Sequence, residues 1–250
     1  MLTGNGNSVT NPSDATGSVS VSVGDLIFAV FGEQTSLTTT GASDNLGNTY
    51  TAQNAGSDGG SCTGRAFYSI ATVAGTLTTV SFAATASSDN YACIAAVLEG
   101  SFTAIDTNVA NGTTDSTTPY TCPASGTLSQ AAESVIAWVA GSSAGGMGVI
   151  SATSPNLLAG QGNNAGTPRA AIGYQTVSAT TSVQPEFTST ADPNGIVLGT
   201  CSFTHTAGAS SGHPAAKRMG GVQFVGDYRS GGGFKLWRNL LIPNRGLVYG

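Results

Sequence analysis

Two runs of apolar residues divide the chain into halves that resemble each other. The first is GDLIFAVFG at 24–32, and the second is ESVIAWVAG at 133–141. Each run has an acidic residue at its start and a glycine at its end, and each is too short for a capped helix. An apolar stretch without alternating polar residues is typical of a strand buried on both faces. We therefore predict two equivalent central strands, about 108 residues apart (position 133 against 25).

The segments around these runs have the patterns of further strands. SVSVSV at 18–23 alternates with period two, and RAFYSIATV and TLTTVSFAAT flank a short Ala-Gly turn. In the second half, GIVLGTCSF takes the place that YACIAAVLE has in the first. TLSQAAESVIAW is the single helix candidate, and we interpret it as a loop that enters a strand. The pattern predicts an all-β fold, a jelly-roll or Ig-like antiparallel β-sandwich built of two related halves, with an extended C-terminal arm.

The strand pattern also sets the expected domain boundaries. Residues 1–16 are polar and turn-rich and are predicted to form an N-terminal arm. The sandwich body spans 17–207, with quasi-repeats at about 17–100 and 127–205, and a C-terminal arm follows at 208–250. Two such halves fit either two sandwiches in tandem or one sandwich of interleaved halves. No Pro/Ser-rich linker separates them, which favours one sandwich without excluding two.

The composition narrows the class of protein. Charged residues make up only 8% of the chain, against roughly 25% in ordinary soluble proteins, and 35 glycines stand in a background rich in Ser, Thr and Asn. Such a surface is typical of secreted or particle-bound β proteins. The sequence has no run of about 20 apolar residues and no signal-peptide pattern at its start. We expect synthesis in the cytoplasm and no membrane partner, and a virus particle is one route by which such a chain leaves the cell.

Four cysteines, at 62, 93, 122 and 201, have no CxxC spacing. Cys93 and Cys201 lie in apolar strand patterns and are interpreted as small core residues. A bridge between Cys62 and Cys122 rests on parity alone. Because the expected compartment is reducing, we do not expect disulfides.

Charge is divided unevenly along the chain. Residues 1–216 carry two basic and twelve acidic side chains, a net −10, whereas residues 217–250 carry six basic and one acidic, a net +5. Aromatic residues accompany the basic ones, which favours docking on an acidic protein surface over a disordered soluble terminus. Nucleic acid is not the expected partner, since the acidic body would repel a duplex. The predicted docking residues are Lys217, Arg218, Phe224, Tyr228, Arg229, Phe234, Lys235, Trp237, Arg238 and Arg245.

Catalytic and metal-binding patterns are weak. GSSAG at 141–145 matches GxSxG, with Ser143 as nucleophile and Asp192 and His205 following in the order of a hydrolase triad. The motif needs a helix after the serine, and GMGVISATSPN does not predict one. Asp44, with Asn45 and Asn48, has oxygens for Ca²⁺ but lacks the acidic ligands of a calcium loop, so turn closure is the preferred interpretation. We predict no enzyme activity, metal or cofactor.

One resemblance gives these features a context. The succession GDLIFAVFG, DNLGNTYT, RAFYSIATVAGTLTTVSF and YACIAAVLEG, followed by ESVIAWVAG, resembles a sandwich module of bacterial surface proteins and tailed-phage virion proteins. It covers roughly residues 17–205. The ending AAKRMGGVQFVGDYRSGGGFKLW resembles short C-terminal segments of phage structural proteins. The resemblance implies no catalytic residues.

The expected function is therefore that of a non-enzymatic phage virion structural protein. We expect a capsid decoration, head-fibre or tail component that is anchored through its C-terminal arm to capsid or tail proteins of the same particle. Homo-oligomerisation is expected, and a trimer suits a jelly roll. The alternative is a carbohydrate-binding or adhesive β-sandwich module with a host glycan as ligand. That alternative is weakened because Trp138 lies in a central strand and Trp237 in the arm, where neither marks a sugar-stacking face.

Overall fold

The computed structural model describes residues 2–7, 14–33, 39–58, 62–84, 90–113, 118–142, 151–154, 156–160, 169–188 and 195–206. Within these ranges the chain forms sixteen strands and no helix, and every strand pair is antiparallel. Residues 127–133 of the helix candidate precede a strand that begins at Ser134. The all-β prediction is confirmed.

The first half contributes one sheet of eight strands. They are β1 (Leu2–Asn7), β2 (Asp14–Val21), β3 (Leu26–Glu33), β4 (Thr39–Asp44), β5 (Thr51–Ser57), β6 (Thr63–Ile70), β7 (Gly75–Ala84) and β8 (Asn90–Leu98). Their order in the sheet is β4-β7-β2-β1-β8-β3-β6-β5. The sheet folds over on itself, so that β2 and β7 cover one face of the β8-β3-β6 segment.

The second half contributes two sheets. Its strands are β9 (Phe102–Thr113), β10 (Tyr120–Thr121), β11 (Ser134–Ser142), β12 (Ser151–Ser154), β13 (Asn156–Gly160), β14 (Arg169–Thr176), β15 (Glu186–Thr188) and β16 (Gly195–His205). The larger sheet has the order β13-β14-β11-β16-β9, and the smaller has the order β10-β15-β12.

The strand order of the first half is repeated in the second, where each strand has a number higher by eight. The segment β8-β3-β6-β5 corresponds to β16-β11-β14-β13, and β2-β7-β4 corresponds to β10-β15-β12. Each half therefore has an inner and an outer layer, and the chain completes the first half before it enters the second. The sequence favoured one sandwich of interleaved halves, whereas the described strands lie in four layers, two for each half.

The apolar runs at 24–32 and 133–141 form the central strands, as predicted. Alternate side chains of β3 enter two cores: Leu26, Phe28 and Val30 face the other half, and Ile27, Ala29 and Phe31 face the outer layer. In β11, Ile136, Trp138 and Ala140 face the first half, and Ala137 and Val139 face β10 and β15. Because both faces of each strand are covered, continuous apolar runs replace the usual alternation.

The inner layers meet through small residues. A Cβ added at Gly32 would lie 2.5 Å from Cβ of Ala140, and one added at Gly64 would lie 3.0 Å from the same atom. Gly32 and Gly64 are cross-strand partners on β3 and β6, so together they form the shallow site into which Ala140 packs. The packing is reciprocal. Strand β14 of the second half contacts β3 and β8 of the first, and its counterpart β6 contacts their counterparts β11 and β16. The halves are therefore related by a pseudo-two-fold axis, like the subunits of an isologous dimer.

Two buried acidic residues hold equivalent places at the entrance to the central strands. Asp25 accepts a hydrogen bond from the backbone N–H of Ser22, and Glu133 accepts one from that of Gln130, in both cases three residues earlier. The carbonyl of Asp25 accepts from Ala71 N–H, and that of Glu133 accepts from Val177 N–H. The acidic residue at the start of each run is thus a structural element of the repeat.

The N-terminal arm and the cysteines occupy places that the sequence pattern did not predict. Leu2–Asn7, which the sequence assigned to an arm, forms β1 and pairs along β8. All four cysteines are buried, and none of them forms a disulfide. Cys62 lies in the core between the halves and Cys122 in the outer core of the second half, so these two do not form a bridge.

Candidate functional site

The predicted docking segment begins where the described chain ends. Thr206 is tied to the start of β9, because its backbone N–H and its side-chain hydroxyl both donate to the carbonyl of Ser101, at 3.0 and 3.3 Å. Ser101 lies in the short connection between the halves. The docking residues Lys217, Arg218, Phe224, Tyr228, Arg229, Phe234, Lys235, Trp237, Arg238 and Arg245 lie outside the described residues.

The hydrolase pattern is not assembled in the described part of the chain. Ser143 and Asp192 lie outside the described residues, and His205 has a different partner. Its Nε2 lies 3.0 Å from Oγ of Ser134, at the start of β11, and its ring packs 4.5 Å from that of Phe102, centroid to centroid. Burial lowers the pKa of His205 below its ordinary value of 6.5, and the nearby Glu133 carboxylate opposes that shift.

His205, Ser134 and Glu133 have the residue types of a hydrolase triad, but a substrate cannot reach the serine. Glu133 and Ser134 are fully buried, with 0% of their surface exposed. Oε1 of Glu133 accepts from the Gln130 N–H and the Ser129 hydroxyl, and Oε2 has no hydrogen-bond partner. A nucleophile must reach its substrate, and the Ser134 hydroxyl is sealed in the protein. The cluster fixes the end of β16 against the start of β11.

The DNLGNTY turn uses its oxygens internally. Oδ1 of Asp44 accepts from the backbone N–H groups of Leu46, Gly47 and Asn48, and Oδ2 accepts from the Asn48 amide and the Tyr50 hydroxyl. Burial, followed by the Asp44 charge, raises the pKa of Tyr50. Gly47 has φ of +83°, which the turn requires and glycine adopts without strain.

Asn45 and Asn48 extend this turn to its neighbours. Oδ1 of Asn48 accepts from the N–H groups of Thr72 and Val73, and Oδ1 of Asn45 accepts from those of Thr78 and Thr79. With Asp44 they hold the β6–β7 hairpin against the turn. These oxygens are therefore committed to protein donors rather than to a cation.

The structure brings forward one site that the sequence analysis did not single out, a cleft of about 240 Å³ around Arg65. Thr39 of β4, residues 55–57 of β5 and residues 63–65 of β6 line it. Nε of Arg65 donates to the carbonyl of Gln53 at 2.9 Å, and Nη1 donates to that of Thr39 at 3.1 Å. The guanidinium also lies over the Phe67 ring, 5.8 Å from its centroid. Two backbone acceptors and one ring thus fix the guanidinium in the cleft.

Two buried polar atoms of the residues that hold this guanidinium have no hydrogen-bond partner. They are Oγ1 of Thr39 and Oε1 of Gln53, and both residues are only 3% exposed. Buried polar groups in native proteins normally have partners. The sequence signal for this site was the rarity of basic residues, because Arg65 is one of only two before residue 217.

Searches for two other kinds of site gave nothing in the described ranges. No group of three or more His, Cys, Asp or Glu side chains there has the arrangement of a metal site. None of the described segments is a helix that could span a membrane. Comparison with family models, with curated proteins and with solved structures found no match to this chain.

Proposed function

We propose that the chain is a non-enzymatic structural protein of a bacteriophage particle, a capsid decoration, head-fibre or tail component. The observation that carries the proposal is the attachment of Thr206 to Ser101. Because of it, the last described residue before the basic-aromatic segment is held at the connection between the two halves. Attachment of the segment to a neighbouring subunit would therefore anchor the whole body.

The division of charge supports this role. The body up to residue 216 has a formal charge of −10, and the segment from 217 onward has +5. An acidic partner surface would attract the segment and repel the body, so contact would be confined to the segment. Its aromatic residues, among them Phe234 and Trp237, would supply most of the affinity, since such anchors dominate binding energy at interfaces.

The architecture of the body also suits a particle surface. Three buried cores join four layers of antiparallel strands. With 8% charged residues, the fold depends little on ion pairs and is expected to vary little with salt. On a symmetric particle, many weak attachments of this kind act together and raise the overall avidity.

The first experiment is quantitative mass spectrometry of purified particles from the source of this chain. A ratio to the major shell protein near one, or a simple fraction of it, supports capsid decoration. A ratio of a few per cent supports a tail or vertex fibre. Absence of the chain from particles contradicts the proposal.

A second experiment tests the segment itself. The chain truncated after residue 207 is expected to keep its unfolding midpoint and lose particle association. Full-length variants separate the contributions: Phe234→Ala with Trp237→Ala should weaken association strongly, and Arg229→Gln with Arg238→Gln should mainly slow it and alter its salt dependence. Unchanged association of the truncated chain would show that the body, and not the segment, is the anchor.

A further inference from the structure

We propose that the first half touches the same particle subunit as the C-terminal segment, through two exposed valines at one end of the body. The contact surface consists of the β2–β3 connection (residues 22–25) and the β6–β7 connection (residues 71–74), which together are called the valine tip. The proposed attachment to a particle is the premise, and the valine tip adds the place on the body where the partner sits.

The valine tip exposes apolar side chains at turns, where polar residues are usual. Val23 is 66% exposed and Val73 is 41% exposed, and they are two of the three large hydrophobic side chains that the described ranges expose. The two connections are joined, because the backbone N–H of Gly24 donates to the carbonyl of Ala71 at 2.8 Å. Exposed hydrophobic residues that are scattered singly need no explanation, whereas two on joined turns form a small apolar patch.

Both valines are presented from closed turns. The backbone N–H of Asp25 donates to the carbonyl of Ser22 at 3.1 Å, and Gly24 has φ of +91°, so Val23 lies within a β-turn. The backbone N–H of Val73 donates to Oδ1 of Asn48 at 2.9 Å. Because the turns are already held by hydrogen bonds, a partner that binds them has little backbone to order.

The second half closes its equivalent end with its own residues. There the connections are longer, at 122–133 between β10 and β11 and at 177–185 between β14 and β15. They bond to each other, since the N–H of Leu128 donates to the carbonyl of Thr180 and the N–H of Ser125 donates to that of Val183. Leu128 is only 2% exposed. The first half has short connections instead, which leave its valines for another chain to cover.

The valine tip lies beside the residue that precedes the segment. Thr206 donates to the carbonyl of Ser101, and the backbone N–H of the next residue, Phe102, donates to the carbonyl of Gly24 at 3.0 Å. Gly24 is the neighbour of Val23 in the chain. A subunit that binds the segment close to its start is therefore within reach of the tip.

Charge favours a particle subunit over a second copy of this chain. Asp25 is the only charged residue of the valine tip, and it is 3% exposed, with its carboxylate accepting from the backbone N–H groups of Ser22 and Gly100. The tip therefore adds no exposed charge, and it is the part of the acidic body that an acidic partner surface does not repel. Two copies joined through their tips would bring two segments of charge +5 to one place, where they would repel each other.

The partner is thus an acidic subunit with an apolar patch that accepts the two valines. The segment supplies most of the affinity, and the tip fixes how the body stands on the particle. Competitive incorporation into particles tests this contact. Full-length wild type and a variant are expressed together in equal amounts during particle assembly, and quantitative mass spectrometry of purified particles gives their ratio.

The variant Val23→Thr with Val73→Thr keeps the shape of both side chains and makes them polar. It should be incorporated about fivefold to tenfold less than wild type, because its hydroxyls must lose water against an apolar surface. Val109→Thr is the matched control, since Val109 is the third exposed hydrophobic residue and lies on β9. The control should be incorporated as well as wild type, and both variants should unfold at the wild-type midpoint.

A photo-cross-link identifies what covers the tip. The photoreactive residue p-benzoylphenylalanine is introduced in place of Val23 in the full-length chain, and purified particles are irradiated. We expect a cross-link to a different subunit of the particle. In place of Val109 the same residue should give no such product.

Several results would overturn the inference. Equal incorporation of the double variant and wild type, while the chain truncated after residue 207 no longer associates, would remove the tip contact and leave the segment as the anchor. A cross-link from position 23 to a second copy, or to the chain's own residues 207–250, would assign the tip to that occupant. An equal loss in Val109→Thr would place the effect in the fold. Absence of the wild-type chain from particles would overturn both the tip contact and the proposed function.

Discussion

Single small residues decide how tightly the second half packs. Trp138 of β11 pairs with Gly199 of β16, and a Cβ at position 199 would overlap the indole. The ring is fully buried, and its Nε1 has no hydrogen-bond partner. An indole in that position is therefore held by shape alone, and the absence of a side chain at 199 creates the space for it.

We expect Gly199→Ala to destabilise the protein by about 2–4 kcal/mol, because the added methyl must displace the indole or the strand. Gly41→Ala is the matched control, since a Cβ there meets nothing within 4 Å. That variant should stay within about 0.5 kcal/mol of wild type. Urea unfolding followed by Trp fluorescence measures both. Equal effects at 199 and 41 would show that the indole can move aside at little cost.

At the scale of the strand, the sequence pattern was informative where burial was complete. The runs 24–32 and 133–141 were identifiable as central strands because both faces are covered. The acidic residue at the start of each run is buried, and its carboxylate accepts a hydrogen bond from a backbone N–H. Strand β1 could not be predicted, because LTGNGN has no apolar period and its pairing on β8 is a tertiary effect.

The candidate sites were less predictable than the strands. Arg65 was visible only as a rare basic residue, since Gln53 and Thr39, which hold it, are 12 and 26 residues away in sequence. The turn formed by Asp44, Asn45 and Asn48 was predictable because its partners are largely local. His205 was linked to Ser143 by the order of residues in the sequence, whereas strand pairing places it beside Ser134.

The end of β16 predicts a dependence of stability on pH. Burial lowers the pKa of His205 in the folded state, so between that pKa and about 6.5 the unfolded chain binds more protons than the folded one. The free energy of unfolding should therefore fall as the pH decreases from about 6.5. Above that pH the contribution of neutral His205 to stability is fully present. Partial exposure of the ring limits the loss to less than about 1 kcal/mol.

Unfolding midpoints at several pH values from 5.5 to 7.5 test this dependence. His205→Gln should flatten the slope, and His213→Gln, which changes the only other histidine, should not. A slope that survives in His205→Gln would show that His205 is not its source.

At the scale of the whole molecule, the chain has the arrangement of a dimer joined into one polypeptide. Both halves contribute to the core between the inner layers, which is the largest of the three described. Neither half could expose its inner face without uncovering residues such as Phe28 and Ile136. We therefore expect the two halves to unfold as one cooperative unit, although they form separate sheets.

This arrangement predicts that β3 and β11 unfold together. In hydrogen exchange followed by mass spectrometry, peptides from these two strands should report the same free energy of opening, because each covers the other.

Ala140→Leu should lower that free energy by about 1–3 kcal/mol, since the larger side chain meets the backbone at Gly32 and Gly64. It should also make the two strands open at different free energies, as the halves separate before either unfolds. Ala83→Leu, at an exposed position of β7, is the control and should leave both strands unchanged. Different opening free energies for β3 and β11 in the wild-type protein would mean that the halves are independent, and that the core between them does not couple their folding.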